Sequence, residues 1–206
     1  MEAITKHFTN LSVVQLKQFQ EMKELYSYWN ERINLISRKD FDSFYLHHVL
    51  HSLSICKIIS FSDNTKIIDV GTGGGFPGIP LAIMFPNCKF ILVDSIKKKT
   101  NAVKQIAADL GLKNVEVITG RIEELDIKSH FVVSRAVTQL PVFVKWIKGK
   151  IVGDNFNELK NGILYLKGGD FEDEIKKIKN KVVQYPISDF FAEPYFETKK
   201  IVYIKA

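Results

Sequence analysis

Residues 66–81, Lys-Ile-Ile-Asp-Val-Gly-Thr-Gly-Gly-Gly-Phe-Pro-Gly-Ile-Pro-Leu, constrain this chain more than any other stretch. Ile67 to Val70 read as a short buried strand that runs straight into Gly71, Gly73 and Gly75. Pro77 stands where the first turn of a helix should begin, a position at which proline's missing N–H costs nothing. Glycine lets the backbone turn through φ > 0 and come close to a ligand. A helix start adds N–H groups that have no intrahelical partner. Strand, glycine turn and helix N-terminus in that order make a site for a nucleotide-like ligand.

The same alternation continues downstream. Short β-like runs occur at 66–70, 89–94, 114–119, 130–135 and 162–167, separated by helix-length segments at 77–85, 97–110, 121–126, 138–149 and 170–179. This order predicts a mostly parallel sheet with helices on both faces. Two final runs, 181–187 and 199–205, are joined by a loop containing Pro186 and Pro194 with no helical pattern. A parallel pair needs a crossover, so these two are expected to be antiparallel. Upstream, Phe19, Met22, Tyr26, Trp29 and Ile33 recur at alternating spacings of three and four, one face of a helix, with Asn10 as its candidate N-cap. A second helix is expected from Phe41 to Ile59. The expected architecture is therefore Rossmann-like α/β, a seven-stranded sheet ending in a C-terminal antiparallel hairpin. Residues 1–62 form a helical extension packed on a core domain of residues 63–206.

Composition narrows the setting. Cys56 and Cys88 are too few for a disulfide framework or a cysteine-rich metal site, and no metal is expected. The N-terminus lacks an apolar signal core, and no run reaches the ~18 apolar residues of a membrane span. A cytoplasmic monomer with no membrane contact is the expectation. The net charge of +6, with lysines clustered at 97–99, at 145, 148 and 150, and along 176–181, is compatible with a polyanionic partner.

Three ligands compete for the glycine loop. A triphosphate loop requires Gly-Lys-Ser/Thr, and here Phe76-Pro77-Gly78 follows the glycines, which excludes it. The dinucleotide fingerprint fails when begun at Gly71, because Phe76 occupies the last glycine position; a match at Gly73, Gly75 and Gly78 is out of register with the strand end. The pattern in register is Asp-x-Gly-x-Gly-x-Gly from Asp69 to Gly75, which resembles the S-adenosylmethionine loop of Rossmann-like methyltransferases. Asp94 ends the next strand 19 residues after Gly75, where a carboxylate for ribose hydroxyls is expected. An NAD site wants the same carboxylate, and an N-cap for the helix at 97 is a second use for it. At the end of the third strand, Gly120-Arg121-Ile122-Glu123 stands where an adenine edge would be met.

Absences bear on the acceptor. Amine methylation of adenine or cytosine goes with Asn/Asp-Pro-Pro-aromatic after the fourth strand, where this chain has Val133-Ser134-Arg135-Ala136-Val137. Cytosine C5 chemistry needs a nucleophilic cysteine, and Cys56 and Cys88 both lie in segments expected to pack. An acceptor that needs neither covalent activation nor a base would fit, and guanine N7 is one: its in-plane lone pair attacks a sulfonium methyl directly, and proximity can supply most of the acceleration.

Over nearly its whole length the sequence resembles the bacterial small-subunit ribosomal RNA guanine-N7 methyltransferases, the glucose-inhibited division protein B family. Trp29-Asn30 with Asn34-Leu35, His48 with Ser52-Leu53, Asp69 to Pro80, Leu92 to Ser95 with Lys98, Ser134-Arg135-Ala136 and Leu166-Lys167-Gly168 carry the likeness. The Phe-Pro-Gly-Ile-Pro continuation after the glycines is its most specific part. The resemblance implies methyl transfer from S-adenosylmethionine to N7 of a guanine in 16S rRNA, free or within the small ribosomal subunit. It implies cofactor contacts at Gly71, Gly73, Phe76, Asp94, Ile122, Glu123 and Arg135. Arg135 is also expected to position the substrate through guanine O6 or a phosphate, because donation to N7 would block the reaction. Lys98 and Lys167 are candidate RNA contacts. His51 and Lys199 depart from the family pattern, which has aspartate and arginine there. A small-molecule methyltransferase and a dinucleotide-binding oxidoreductase are the alternatives.

Overall fold

The computed structural model describes residues 1–206. Seven strands form one sheet: β1 (Lys66–Val70), β2 (Lys89–Asp94), β3 (Val115–Thr119), β4 (Phe131–Arg135), β5 (Gly162–Gly168), β6 (Val182–Pro186) and β7 (Lys199–Lys205). Their order is β3-β2-β1-β4-β5-β7-β6. The first five are parallel, and β7 runs antiparallel between β5 and β6. The expected terminal hairpin is present, with β7 as its inner strand. β1 and β2 are nearly continuous apolar runs because both of their faces are covered.

Alternation along each strand sends side chains to two cores. Ile67, Phe90, Leu92, Phe131, Val133, Leu164 and Leu166 face one cluster together with Phe19, Met22 and Tyr26 of helix α1 (Val13–Asn30) and Val103 and Ile106 of helix α3 (Lys97–Asp109). Ile68, Val70, Ile91, Val93, Val132 and Ile163 face the other, beneath Leu140 and Phe143 of helix α4 (Leu140–Trp146). The N-terminal segment therefore contributes to the larger core of the sheet itself. No helix is long and apolar enough to cross a membrane.

Several boundaries differ from expectation. Ser12, not Asn10, caps α1: its hydroxyl accepts from Gln15 N–H while the Gln15 side chain accepts from Ser12 N–H, a capping box that Asn10, with Val13 three residues on, cannot make. The single helix expected over 41–59 is instead a chain of short pieces: 3-10 turns at Arg38–Ser43, a π-helix at Phe44–Leu50, one α-turn at His51–Leu53 and a 3-10 turn at Ser54–Lys57. Buried Ser52 and Ser54 return their hydroxyls to the carbonyls of His48 and His51, competing with a regular ladder. The helix expected over 170–179 is one turn, Glu172–Ile175, and 121–126 holds a 3-10 turn, Ile122–Glu124.

Chain direction across the sheet reverses between β1 and β4, and in such sheets ligands bind outside the carboxyl ends of the strands at that switch. The glycine loop lies there, gripped by the N-terminal segment. The Tyr26 hydroxyl, fully buried, donates to Gly74 O at 2.7 Å, and a Cβ on Gly74 would lie 3.1 Å from Leu35 O. Asn30 Oδ1 accepts from both Leu35 and Ile36 N–H and turns the chain onto the loop. Tyr26→Phe leaves the Gly74 carbonyl without its buried partner. It should lower stability by about 1–3 kcal/mol, and each kcal/mol lost should bring the melting midpoint down by roughly 2–4 °C. Thermal denaturation checks both.

Candidate functional site

The carboxylate of Asp69, with no solvent exposure, organises the loop. Its Oδ2 accepts from the Thr72 hydroxyl at 2.6 Å and from Gly78 N–H at 2.8 Å, spanning the loop from its second residue to the start of helix α2 (Gly78–Met84). Burial raises the Asp69 acid to about 7, against the pull of these two hydrogen bonds. The expected open N–H groups at the helix start are thus taken. Gly78 N–H binds Asp69, Ile79 N–H binds Gly75 O and Leu81 N–H binds Pro77 O, with Pro77 just before the helix rather than within it. The buried carboxylate takes the first of these donors, and backbone carbonyls of the loop take the other two.

The glycines earn their places by backbone angle. Gly71, Gly73 and Gly75 have φ of +66°, +56° and +89°, a region costly for residues with a Cβ. A Cβ at Gly71 would also run into the Val137 side chain. Gly73 N–H donates to Asp94 Oδ2 at 2.9 Å, and Asp94 Oδ1 accepts from Ile96 N–H at 2.9 Å. Asp94 thereby joins the loop to the entry of α3 and still keeps acceptor capacity, since each carboxylate oxygen has a second lone pair.

These residues border an open cleft of about 420 Å³ that brings together Gly71, Gly73, Asp94, Ile122, Glu123 and Arg135. Six of the predicted positions thus meet in one place. Phe76 lies elsewhere: it is 2% exposed, does not line the cleft, and packs behind it on Tyr26, Phe44 and His48 at ring separations of 5.0, 6.0 and 5.4 Å. Its ring carries the Arg135 guanidinium at 5.1 Å. Lys98 points to solvent on the first turn of α3, and its neighbour Lys99 is the lysine that borders the cleft. Lys167 is 14% exposed and ion-paired at 3.0 Å with Glu174, which also caps α4 by accepting from Leu140 N–H.

Arg135 is held from the side of the irregular helical segment. It donates to His47 O at 3.2 Å and to His48 Nδ1 at 3.1 Å. Since the arginine only donates, His48 Nδ1 is the acceptor and Nε2 carries the proton, facing Asp40 Oδ2 at 2.8 Å. The other Asp40 oxygen takes His47 Nδ1. Asp40, His48 and Arg135 thus lie in one line of contacts, in which Arg135 is hydrogen-bonded to His48 and the Asp40 carboxylate approaches His48 Nε2 without the alignment of a hydrogen bond. Burial and the arginine together push the His48 imidazole down to about 4, so it stays neutral and able to accept. Beyond Arg135 the residue Ala136 adopts φ +48°, uncommon for a side-chain-bearing residue. Sequence reasoning passed over Asp40, His47 and Tyr195 and gave His48 no role beyond its place in a family motif, although three of the chain's five histidines fall within 47–51.

Residues 15–193 match the model of the GidB family, rRNA small subunit methyltransferase G. The chain belongs to this family. It is 52% identical over 204 residues to ribosomal RNA small subunit methyltransferase G of Christiangramia forsetii, covering 99% of this chain and 96% of that protein. It is 50% identical to the Cytophaga hutchinsonii protein of the same name over 206 residues, the full length of both. Among solved structures, a SAM-dependent methyltransferase from Aquifex aeolicus shares the fold with a TM-score of 0.56 at 14% identity, over 75% of this chain and 89% of that one. Membership makes the chain a methyltransferase of small-subunit ribosomal RNA, with S-adenosylmethionine as methyl donor. The oxidoreductase and small-molecule alternatives are thereby set aside.

Two outcomes follow from the Asp40–His48–Arg135 chain. Asp40→Ala should lower the rate of methyl transfer about ten- to hundredfold by loosening Arg135, while affinity for S-adenosylhomocysteine changes less than about twofold. Single-turnover kinetics beside calorimetric titration will separate the two. The folded chain binds a proton at His48 less readily than the unfolded chain, so its contribution to stability is lost as pH falls from 6.5 towards about 4. Urea denaturation across that range should show a shallower decline in His48→Gln than in the wild type.

Proposed function

We propose that this chain transfers the methyl group of S-adenosylmethionine to N7 of a single guanine in 16S rRNA. The observation that carries the reading is the meeting of Gly71, Gly73, Asp94, Ile122 and Glu123 in one cleft with Arg135 at its far side. The residues fit the donor: a left-handed glycine turn leaves room beside the strand end, Asp94 retains acceptor capacity for ribose hydroxyls, and Ile122 with Glu123 meets the adenine. When bound, S-adenosylmethionine supplies an electrophilic methyl on a sulfonium.

The protein's part is placement. Guanine N7 brings its own lone pair, so no general base is required, and orientation supplies most of the acceleration. Arg135 keeps donors free beyond those given to His47 and His48, because a guanidinium has five. Those donors serve guanine O6 or a flanking phosphate. Lys98 and Lys99, at the start of α3, supply phosphate contact on the cleft's outer side, and Lys167 contributes through the position it gives Glu174 and β5. The net charge of +6 suits this substrate. The chain acts as a cytoplasmic monomer, with residues 1–62 and 63–206 working as one unit, a reading supported by their shared core.

Incubation with labelled S-adenosylmethionine and 16S rRNA should yield one 7-methylguanine; label on adenine, on cytosine or on no RNA base contradicts the reading. Gly73→Val places a β-branched residue at φ +56° and should abolish S-adenosylhomocysteine binding by calorimetry. Arg135→Ala should lower turnover more than cofactor affinity, and the reverse pattern would make it a cofactor ligand.

A further inference from the structure

Next to the cofactor cleft lies a second, smaller cavity of about 220 Å³, which shares Arg135 and Ala136 with it. His47, His48, His51, Tyr195 and Lys199 line the rest of its polar wall. Five separate segments converge there: the π-helix and the turn after it, the end of β4, the end of β5 with Leu166 and Gly168, the 3-10 turn Pro194–Phe196, and the first residue of β7. Tyr195 stacks on His47 at 3.8 Å with an interplanar angle of 15°. Lys199 lies over the Tyr195 ring at 5.1 Å and has no acidic partner. Its ammonium occupies the space where a side chain on Gly168 would stand, 2.8 Å from that glycine's Cβ position.

His51 is 4% exposed and its Nε2 has no hydrogen-bond partner in the protein. The other ring nitrogen, Nδ1, lies 3.4 Å from the Tyr195 hydroxyl, which donates its one proton to His47 O, also at 3.4 Å. With its proton given to His47 O, the hydroxyl can only accept from His51, so the proton resides on Nδ1 and Nε2 carries a bare lone pair. Burial, Arg135 and Lys199 hold the imidazole well below its usual range, which keeps that lone pair free. The cavity therefore presents one buried acceptor, His51, and two donors, Lys199 and Arg135.

We propose that this cavity seats the target guanine, with His51 Nε2 accepting from the N1–H and N2 amine edge while Lys199 and Arg135 donate to O6. This leaves N7, on the far side of O6 from N1, facing the cofactor cleft. Adenine has the opposite pattern, an acceptor at N1 and a donor at N6, and meets His51 and Lys199 with like against like. The proposal rests on the guanine-N7 reading and adds how the base is selected.

The test uses the full chain with undermethylated 16S rRNA. His51→Leu should lose about ten- to hundredfold in kcat/KM for RNA, with matching weakening of RNA binding by the S-adenosylhomocysteine complex and unchanged affinity for S-adenosylhomocysteine. His51→Asp, which keeps an acceptor, should recover most of the loss. Lys199→Met, at a half-exposed site, should lose RNA affinity in the same direction and keeps the test available if His51→Leu does not fold. Unchanged RNA kinetics in His51→Leu, or equal impairment in His51→Asp, overturns the proposal. Wild-type labelling of a base other than guanine would instead overturn the underlying reading, and it is seen without any variant.

Discussion

One buried carboxylate holds the functional end of this molecule together. Asp69 Oδ2 receives a hydroxyl from Thr72 and a backbone N–H from Gly78, so a single group closes the glycine loop on itself. A carboxylate stripped of water needs such donors, and its acid rises to about 7 despite having two. Gly78 is required for this closure, because a Cβ there would lie 2.7 Å from that same Asp69 oxygen. Loop shape, helix start and cleft follow from it.

The second constraint comes from the N-terminal segment. Tyr26, Leu35 and Phe44 press on the loop from behind, and Asp40 with His48 fixes the arginine across the cleft. A side chain as long as arginine loses considerable rotamer freedom when ordered. Two hydrogen bonds and an aromatic face bear that cost before any substrate arrives. The extension is thus part of the site, and the irregular winding of 38–57 is what brings His47, His48 and His51 to the wall beside Arg135.

Much of this was legible in the chain. Short apolar runs marked all seven strands, nearly continuous in β1 and β2 because both sheet faces are buried there, and the missing helix before 199–205 announced the antiparallel end. The positions of Gly71, Gly73, Asp94, Ile122 and Glu123 were suggested by their places at strand ends, and that of Arg135 by the family resemblance. Helix winding over 41–59 was not legible, since Ser52 and Ser54 look ordinary until their hydroxyls are seen folding back on carbonyls. Lys98 and Lys167 stood out as motif lysines, but rotation along α3 turns Lys99 to the cleft, and Glu174 claims Lys167.

By itself the sequence determined the α/β order, the cofactor loop and the family, because those depend on local backbone requirements and on spacing along the chain. Tertiary structure alone decided the second cavity. His51, Arg135 and Tyr195 are far apart in sequence, and only the packing of the N-terminal segment against the carboxyl edge of β4 and β5 makes them neighbours. The protonation of His48 and His51 was decided there too, since it depends on which groups burial brings against each ring nitrogen.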